Sequence, residues 1–259
     1  VIQLPTLLRS LLSVIAPRLC VGCRAPLRSE VALEPSACPV RGALRPALCA
    51  PCRSALATIG PGACRACGRP RQPFAPALGE RCGRCAREPR GGVRSTITAF
   101  RYTGAGRDLL RTLKYHGRRE LALPLGRALA ARVAAELPDL VGACGVALVT
   151  AVPLHWTRLL RRGYNQAELI ARVAARELGL PFAPRALTRT KRTKALFSVP
   201  RGDREEALAG ALASRGNVVR GRWVLLVDDI RTTGATLATC GRALRAAGAA
   251  RVDAAVLGR

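Results

Sequence analysis

Hydrophobic and polar positions recur with two different periods along this chain, and the change of period divides it. Leu4, Leu7, Leu8, Leu11, Leu12 and Ile15 recur near helical spacing, which predicts an amphipathic helix over 1–19. Across 20–90 the pattern fades into a stretch dense in Pro, Gly and Arg. Gly91-Gly92 reads as a linker, and regular segments return over 91–259. Ser95–Tyr102 reads as a strand; Gly104 and Gly106 turn the chain, and Asp108–Tyr115 makes a turn or two of helix. Leu121–Leu137, with Leu125, Leu129 and Val133 on one face and Pro138 closing it, reads as a longer helix. Val146–Val152 is a buried strand, Ala167–Leu178 a helix with Gly179 past its end, and Leu180–Thr188 contains a further strand. Residues 189–206 are polar, basic and poorly periodic; Val224–Val227, a helix from about Thr236 to Ala246, and the strand Val252–Leu257 complete the pattern. Strands alternating with helices from residue 96 onward predict an α/β fold with a mostly parallel sheet.

Composition narrows what this fold does. Apolar residues make up 49% of the chain and aromatics 3%, so the core is built of Leu, Val and Ala. A formal charge of +27 predicts affinity for polyanions: nucleic acid, phosphorylated substrates or an acidic partner. Of the 43 Lys and Arg residues only 114, 191 and 194 are Lys. The first segment lacks a basic leader and Arg9 interrupts its apolar run, while no later window approaches the ~20 apolar residues of a membrane helix. A cytoplasmic protein without a membrane span is therefore expected. Fingerprints of dinucleotide sites, P-loops and hydrolase elbows are absent.

Eight of the 11 cysteines fall in Cys-x-x-Cys pairs: Cys20/Cys23, Cys49/Cys52, Cys64/Cys67 and Cys82/Cys85. Each pair can grip one metal ion from a tight knuckle, and four thiolates close a tetrahedral Zn²⁺ site. Sequential pairing is simplest, with Cys20, Cys23, Cys49 and Cys52 on one ion and Cys64, Cys67, Cys82 and Cys85 on the other; interleaved pairing stays open. Four thiolates leave no position for substrate, so two structural zinc ions are expected, holding 20–90 together in place of a core. Cys38 stands outside the pairs, and Cys144 reads as a small core residue.

The densest chemistry follows Val224–Val227. Asp228-Asp229 ends that strand, Ile230-Arg231 follows, and Thr232-Thr233-Gly234-Ala235-Thr236 opens the next helix. In α/β sheets, ligands sit beyond the carboxyl ends of strands. Backbone N–H groups and hydroxyls at a helix start attract an anion. Neighbouring carboxylates suit a polyol; the plain alternative is a strand–turn–helix with capping residues. The stretch resembles the phosphoribosyl-pyrophosphate (PRPP) motif of type I phosphoribosyltransferases. In that family the acids hold the ribose 2′- and 3′-hydroxyls and the loop holds the 5′-phosphate. The resemblance implies PRPP-binding roles for Asp228, Asp229, Thr232, Thr233, Gly234, Ala235 and Thr236, a catalytic role for the two acids, and Mg²⁺ bound with PRPP. Arg231 stands where the family often has a small or apolar residue.

A second constellation pairs Ala151-Val152-Pro153-Leu154-His155 with Arg162-Gly163-Tyr164-Asn165-Gln166. Together with the PRPP motif and the four cysteine pairs it resembles the ComF family, whose members join a double zinc ribbon to a phosphoribosyltransferase-like domain. The resemblance runs from about Cys20 to Arg259. It implies a double zinc ribbon over 20–90, a type I phosphoribosyltransferase fold over 91–259, a cytoplasmic location, and an association with DNA uptake and natural transformation. Arg158, Arg161 or Arg162 would face pyrophosphate, and Lys191, Arg192 and Lys194 would close over it; each also reads as a solvated charge. His155 and His116 offer no clear general base, and Tyr164 and Asn165 read as caps of the helix beginning at Gln166. The family's mobile loop is matched at Arg192, Thr193 and Arg204, but Leu196, Ala207 and Leu212 replace its usual Gln, Asn and Phe. Two functions remain: transfer of phosphoribose to an acceptor, or a non-catalytic protein binding single-stranded DNA or nucleotides with the PRPP site as a ligand pocket.

Overall fold

The computed structural model describes residues 18–27, 38–70, 80–87, 91–189 and 212–259. The helix expected over 1–19 lies almost wholly outside the described residues, as do Lys191, Arg192, Lys194, Leu196, Arg204 and Ala207.

Among the described residues three short helices come first: α1 (Pro39–Ala43), α2 (Ala50–Ser54) and α3 (Gly83–Arg87). The α/β part then runs β1 (Thr96–Phe100), α4 (Gly104–Tyr115), α5 (Ala122–Glu136), β2 (Ala147–Ala151), α6 (Trp156–Arg162), α7 (Gln166–Glu177), β3 (Leu187–Arg189), β4 (Leu212–Ser214), α8 (Gly216–Val219), β5 (Trp223–Ile230), α9 (Ala235–Ala246) and β6 (Arg251–Gly258). Strands β1, β6, β5 and β2 form one sheet in that order, parallel throughout.

Parallel strands with both faces covered need continuous apolar runs, and β5 supplies Val224 to Val227, each fully enclosed. Its side chains alternate between two cores. Leu225 and Val227 join the large cluster with Leu125 and Leu129 of α5 and Ile170 and Ala174 of α7. Val224 and Leu226 join the opposite cluster with Leu237, Cys240 and Leu244 of α9. Helices α5 and α7 pack at a glycine: a Cβ on Gly126 would lie 2.5 Å from Val173 Cβ and 3.0 Å from the Ile170 carbonyl oxygen.

Several elements differ from the sequence pattern. Helix α4 begins at Gly104, because Gly106 packs in its first turn where a Cβ would lie 2.7 Å from the Phe100 ring. Chain segment 156–162 forms α6, closed by Gly163 at φ +74°. The strand expected within Leu180–Thr188 is β3, at the end of that span, and it lies outside the main sheet, paired antiparallel with β4. Cys144 is exposed, not buried. The cysteine-rich stretch does own part of the core: Val40, Leu44, Leu48 and Leu56 are buried in the same cluster as α5 and α7. Metal is therefore not the sole support of that stretch.

In a free helix, replacing Gly by Ala is favourable by about 1 kcal/mol. At Gly126 the overlap with α7 reverses that sign, so Gly126→Ala should lower stability by roughly 1–3 kcal/mol in urea unfolding. An unchanged or higher midpoint would show that α5 and α7 do not meet there.

Candidate functional site

Strand β5 outruns its apolar stretch and carries both aspartates within it. Alternation sends them to opposite faces. Asp228 turns toward α9, within electrostatic reach of Cys240. Asp229 turns toward α4, where Lys114 Nζ lies 3.0 Å from its Oδ1 and both side chains are largely covered. The Asp229 backbone N–H donates to Asp228 Oδ1 at 2.8 Å, fixing that carboxylate at the strand end. Burial, reinforced by the Asp229 charge, pushes the Asp228 carboxyl up to about 7.

Residues 231–234 bend the chain into α9. Gly234 precedes the helix at φ +93°, a backbone conformation that favours glycine. Thr233 Oγ1 accepts from the Ala235 N–H at 3.4 Å. The first-turn N–H groups of this twelve-residue helix have no acceptor within the helix itself. Thr232 is exposed, Thr233, Gly234 and Thr236 are half-buried, and Ala235 is buried. The acids and the predicted loop thus stand side by side at one end of β5.

Arg158 and Arg162 reach the same edge from α6, which follows β2. Arg162 donates to Gln166 Oε1 at 3.1 Å and its guanidinium lies 5.2 Å from the Tyr115 ring. Burial lowers the Arg158 pKa, helped by the positive charges of Arg162 and Arg161. Two further groups complete the rim and escaped the sequence reading. Arg189, at the end of β3, is within electrostatic reach of Arg158 and Cys240; burial followed by Arg158 lowers its pKa. Lys114 immediately precedes Tyr115. Charge interactions thus link Asp228 to the buried Cys240, Cys240 to Arg189, Arg189 to Arg158 and Arg158 to Arg162, while Lys114 pairs with Asp229. The scarcity of Lys among so many Arg was a usable signal for Lys114; nothing in the sequence marked Arg189.

His155 is buried, and its Nδ1 accepts from the Thr157 N–H at the start of α6. Asn165 caps α7 by accepting from the Ala167 N–H, and its Nδ2 donates to the Val152 carbonyl at 3.0 Å. Tyr164 is no cap: it is buried and its hydroxyl donates to the Leu113 carbonyl.

The cysteines gather in sequential order. Cys20, Cys23, Cys49 and Cys52 form one cluster, Cys64, Cys67, Cys82 and Cys85 the other, with the sulfur atoms of each within 4.8 Å of one another. The Cys49 N–H donates to Cys20 Sγ at 3.4 Å and the Cys82 N–H to Cys64 Sγ at 3.1 Å. Burial opposes ionisation of Cys20, but the N–H groups of Cys23, Cys49 and Gly22 outweigh it and bring the thiol to about 6. Cys64 falls to about 7 in the same way, through the Cys82 and Cys67 N–H groups. Four converging sulfurs with backbone donors suit structural zinc and leave no ligand position open.

Residues 161–259 match the Phosphoribosyl transferase domain family, a span that includes the acids, the loop and α9. Over 225 residues the chain is 32% identical to "DNA utilization protein YhgH" of Escherichia coli (strain K12), covering 80% of this chain and 95% of that protein. Its namesake from Salmonella typhimurium is 31% identical with the same coverage. "Competence protein F" of Haemophilus influenzae is 38% identical over 104 residues, or 39% of this chain and 45% of that protein.

Two clusters should bind two zinc ions per chain, one each, by elemental analysis of the purified protein. Asp228 gives a second expectation. Its carboxyl titrates higher folded than unfolded, so the protonated form's contribution is complete below about 4 and is lost as pH rises through about 7. Asp228→Asn should therefore exceed wild type in stability at pH 8 by on the order of 1–3 kcal/mol, with the gap closing toward pH 4. Parallel melting curves across that range would contradict a desolvated Asp228.

Proposed function

Since the chain belongs to the ComF family of phosphoribosyltransferase-like proteins, we propose that it binds the ribose 5-phosphate part of PRPP, or of a related nucleotide, and serves DNA uptake and utilisation in the cytoplasm. The observation that supports this most directly is the continuity of β5, Asp228-Asp229, the Gly234 bend and α9, inside the matched span.

On this reading the 5′-phosphate rests on the N–H groups and hydroxyls of Thr232 to Thr236, where the helix dipole favours negative charge. The ribose diol lies across the strand end, one hydroxyl to each aspartate, because the acids diverge. Lys114 Nζ, 3.0 Å from Asp229 Oδ1, leaves the second oxygen of that carboxylate as an acceptor. The pyrophosphate faces Arg158 and Arg162 from α6, with Arg189 beside them, and Lys191, Arg192 and Lys194 would close over it. Mg²⁺, a hard cation that keeps several waters, would neutralise part of the pyrophosphate charge beside the two carboxylates. Transfer breaks the bond from ribose C1 to pyrophosphate, so the chain's task is to hold the sugar, neutralise the leaving group and exclude water. The residues over 20–90 are assigned to a double zinc ribbon and those over 91–259 to the phosphoribosyltransferase-like part.

A non-catalytic reading has its own support. Leu196, Ala207 and Leu212 replace polar and aromatic positions of the family loop, and a charge of +27 suits a long polyanion such as single-stranded DNA. Among the described residues no helix is long and apolar enough to cross a membrane.

Calorimetry with PRPP and Mg²⁺ should give binding heat for wild type and at least a tenfold weaker affinity for Asp228→Asn or Asp229→Asn. Absence of heat in the wild type would remove the sugar-phosphate pocket. Pyrophosphate release across acceptor nucleophiles then separates transfer from binding alone. Single-strand affinity should fall log-linearly with salt, and a flat, negligible response would remove the DNA reading.

A further inference from the structure

Arg231 sits inside the motif, between the acids and the phosphate loop, and its side chain reaches across to the second cysteine cluster. Its backbone N–H donates to the Gly258 carbonyl at 3.0 Å, extending the β5–β6 pairing. Its Nη1 donates to the Ala66 carbonyl at 2.8 Å and to Thr96 Oγ1. Ala66 lies between Cys64 and Cys67, in the knuckle of the second cysteine cluster. That knuckle is clamped to the sheet from several sides. The Thr96 N–H donates to the Arg65 carbonyl at 2.7 Å, Thr96 Oγ1 donates to Ala66 at 3.1 Å, and Arg259 Nη1 donates to the Cys67 carbonyl at 2.5 Å.

The other face of the same guanidinium supports the loop. A Cβ on Gly234 would lie 2.6–2.9 Å from Arg231 Nη2, Nε and Cζ, so the glycine that precedes α9 rests on it. The first cluster has a different neighbour: beside it Gly22 approaches Ala105 of α4 and Cys52. One arginine thus touches the second metal knuckle and the phosphate loop, over a sequence distance of 165 residues.

We infer that Arg231 is a positioning residue that couples metal occupancy of the Cys64–Cys85 cluster to the shape of the phosphate loop. The tetrahedral metal fixes the knuckle, and the knuckle presents the Ala66 carbonyl to Arg231. With that acceptor gone, an enclosed guanidinium is left short of partners, which is costly, and it moves toward water. Gly234 then loses the surface that holds the start of α9. Binding coupling is reciprocal, so a phosphate ester on the loop should tighten metal at this cluster by the factor by which the metal tightens the ester. The ester half of this inference rests on the sugar-phosphate reading above; the loop half does not.

The test uses the full-length zinc-loaded protein. Hydrogen exchange at the amides of 232–236 should rise at least tenfold when Cys82→Ser and Cys85→Ser empty the second cluster, and should stay unchanged when Cys49→Ser and Cys52→Ser empty the first. Arg231→Leu should reproduce the faster exchange with both ions still bound, and Arg231→Lys should recover part of the protection, since a single nitrogen makes both bonds. A chromophoric chelator supplies a second measurement that needs no cysteine variant. Ribose 5-phosphate should reduce zinc loss from one of the two sites about fivefold in wild type and not in Arg231→Leu. Equal loop exchange in Arg231→Leu and wild type overturns the coupling, as does equal ester protection of zinc in the two. If ribose 5-phosphate does not bind the zinc-loaded wild type, the pocket reading fails, and the exchange arm alone decides the coupling.

Discussion

The site depends on one constraint: β5 is enclosed on both faces and both edges, and it must end. Between β6 and β2, with α5 and α7 on one side and α9 on the other, only apolar side chains are tolerated from Val224 to Val227. Polar chemistry is admitted only where the neighbouring helices stop covering the strand, and Asp228 and Asp229 occupy those next two positions. Their divergence follows from the same two-residue period that sorts Val224 and Leu225 into different cores. A ligand gripped by both acids must therefore straddle the strand end and cannot lie along one face.

The acids meet different electrostatic environments. Asp229 has Lys114 as a close partner, while Asp228 is enclosed beside a thiol and a second acid. Desolvation is unfavourable to a carboxylate, the Lys114 charge offsets only part of it, and such a site persists where the surrounding packing holds a surplus of stability. The rest of the fold supplies that surplus through large apolar cores and through the ribbon helices that share them. Sharing has a structural consequence: with Leu44, Leu48 and Leu56 buried against α5, the cysteine-rich stretch cannot swing as an independent arm without opening the main core.

What was legible in the sequence was local. The cysteine knuckles, the apolar run of β5, the Gly234 bend and α9 are each written within a few neighbouring residues, where period and spacing act directly. Asn165 as a cap was legible for the same reason. Contacts made by the fold were not. Arg231 reads as an odd insertion in a phosphate loop until the chain brings Ala66 beneath it, and Arg189 is one Arg among 40 until β3 carries it beside Arg158. Helix α6 was missed because its apolar residues, Trp156, Leu159 and Leu160, are exposed, so its pattern does not report a buried face. Gly106 looked like a turn because a sequence cannot show that Phe100 fills the space where its side chain would be.

Lys114 carries the comparison between local and distant information furthest. In a chain that uses Arg almost everywhere, a Lys beside Asp229 is chemically specific. A guanidinium presents a planar fork of donors and tends to engage a carboxylate through two bonds. At this strand end such a fork would occupy both Asp229 oxygens, or bridge to Asp228, and would close the acidic strand end against any sugar. An ammonium is a compact point charge that holds one oxygen, here Oδ1 at 3.0 Å, and leaves the second as an acceptor. The pair is thereby split into one carboxylate held by a cation and one enclosed beside a thiol, an asymmetry that the bare Asp-Asp dipeptide does not contain and that α4 confers.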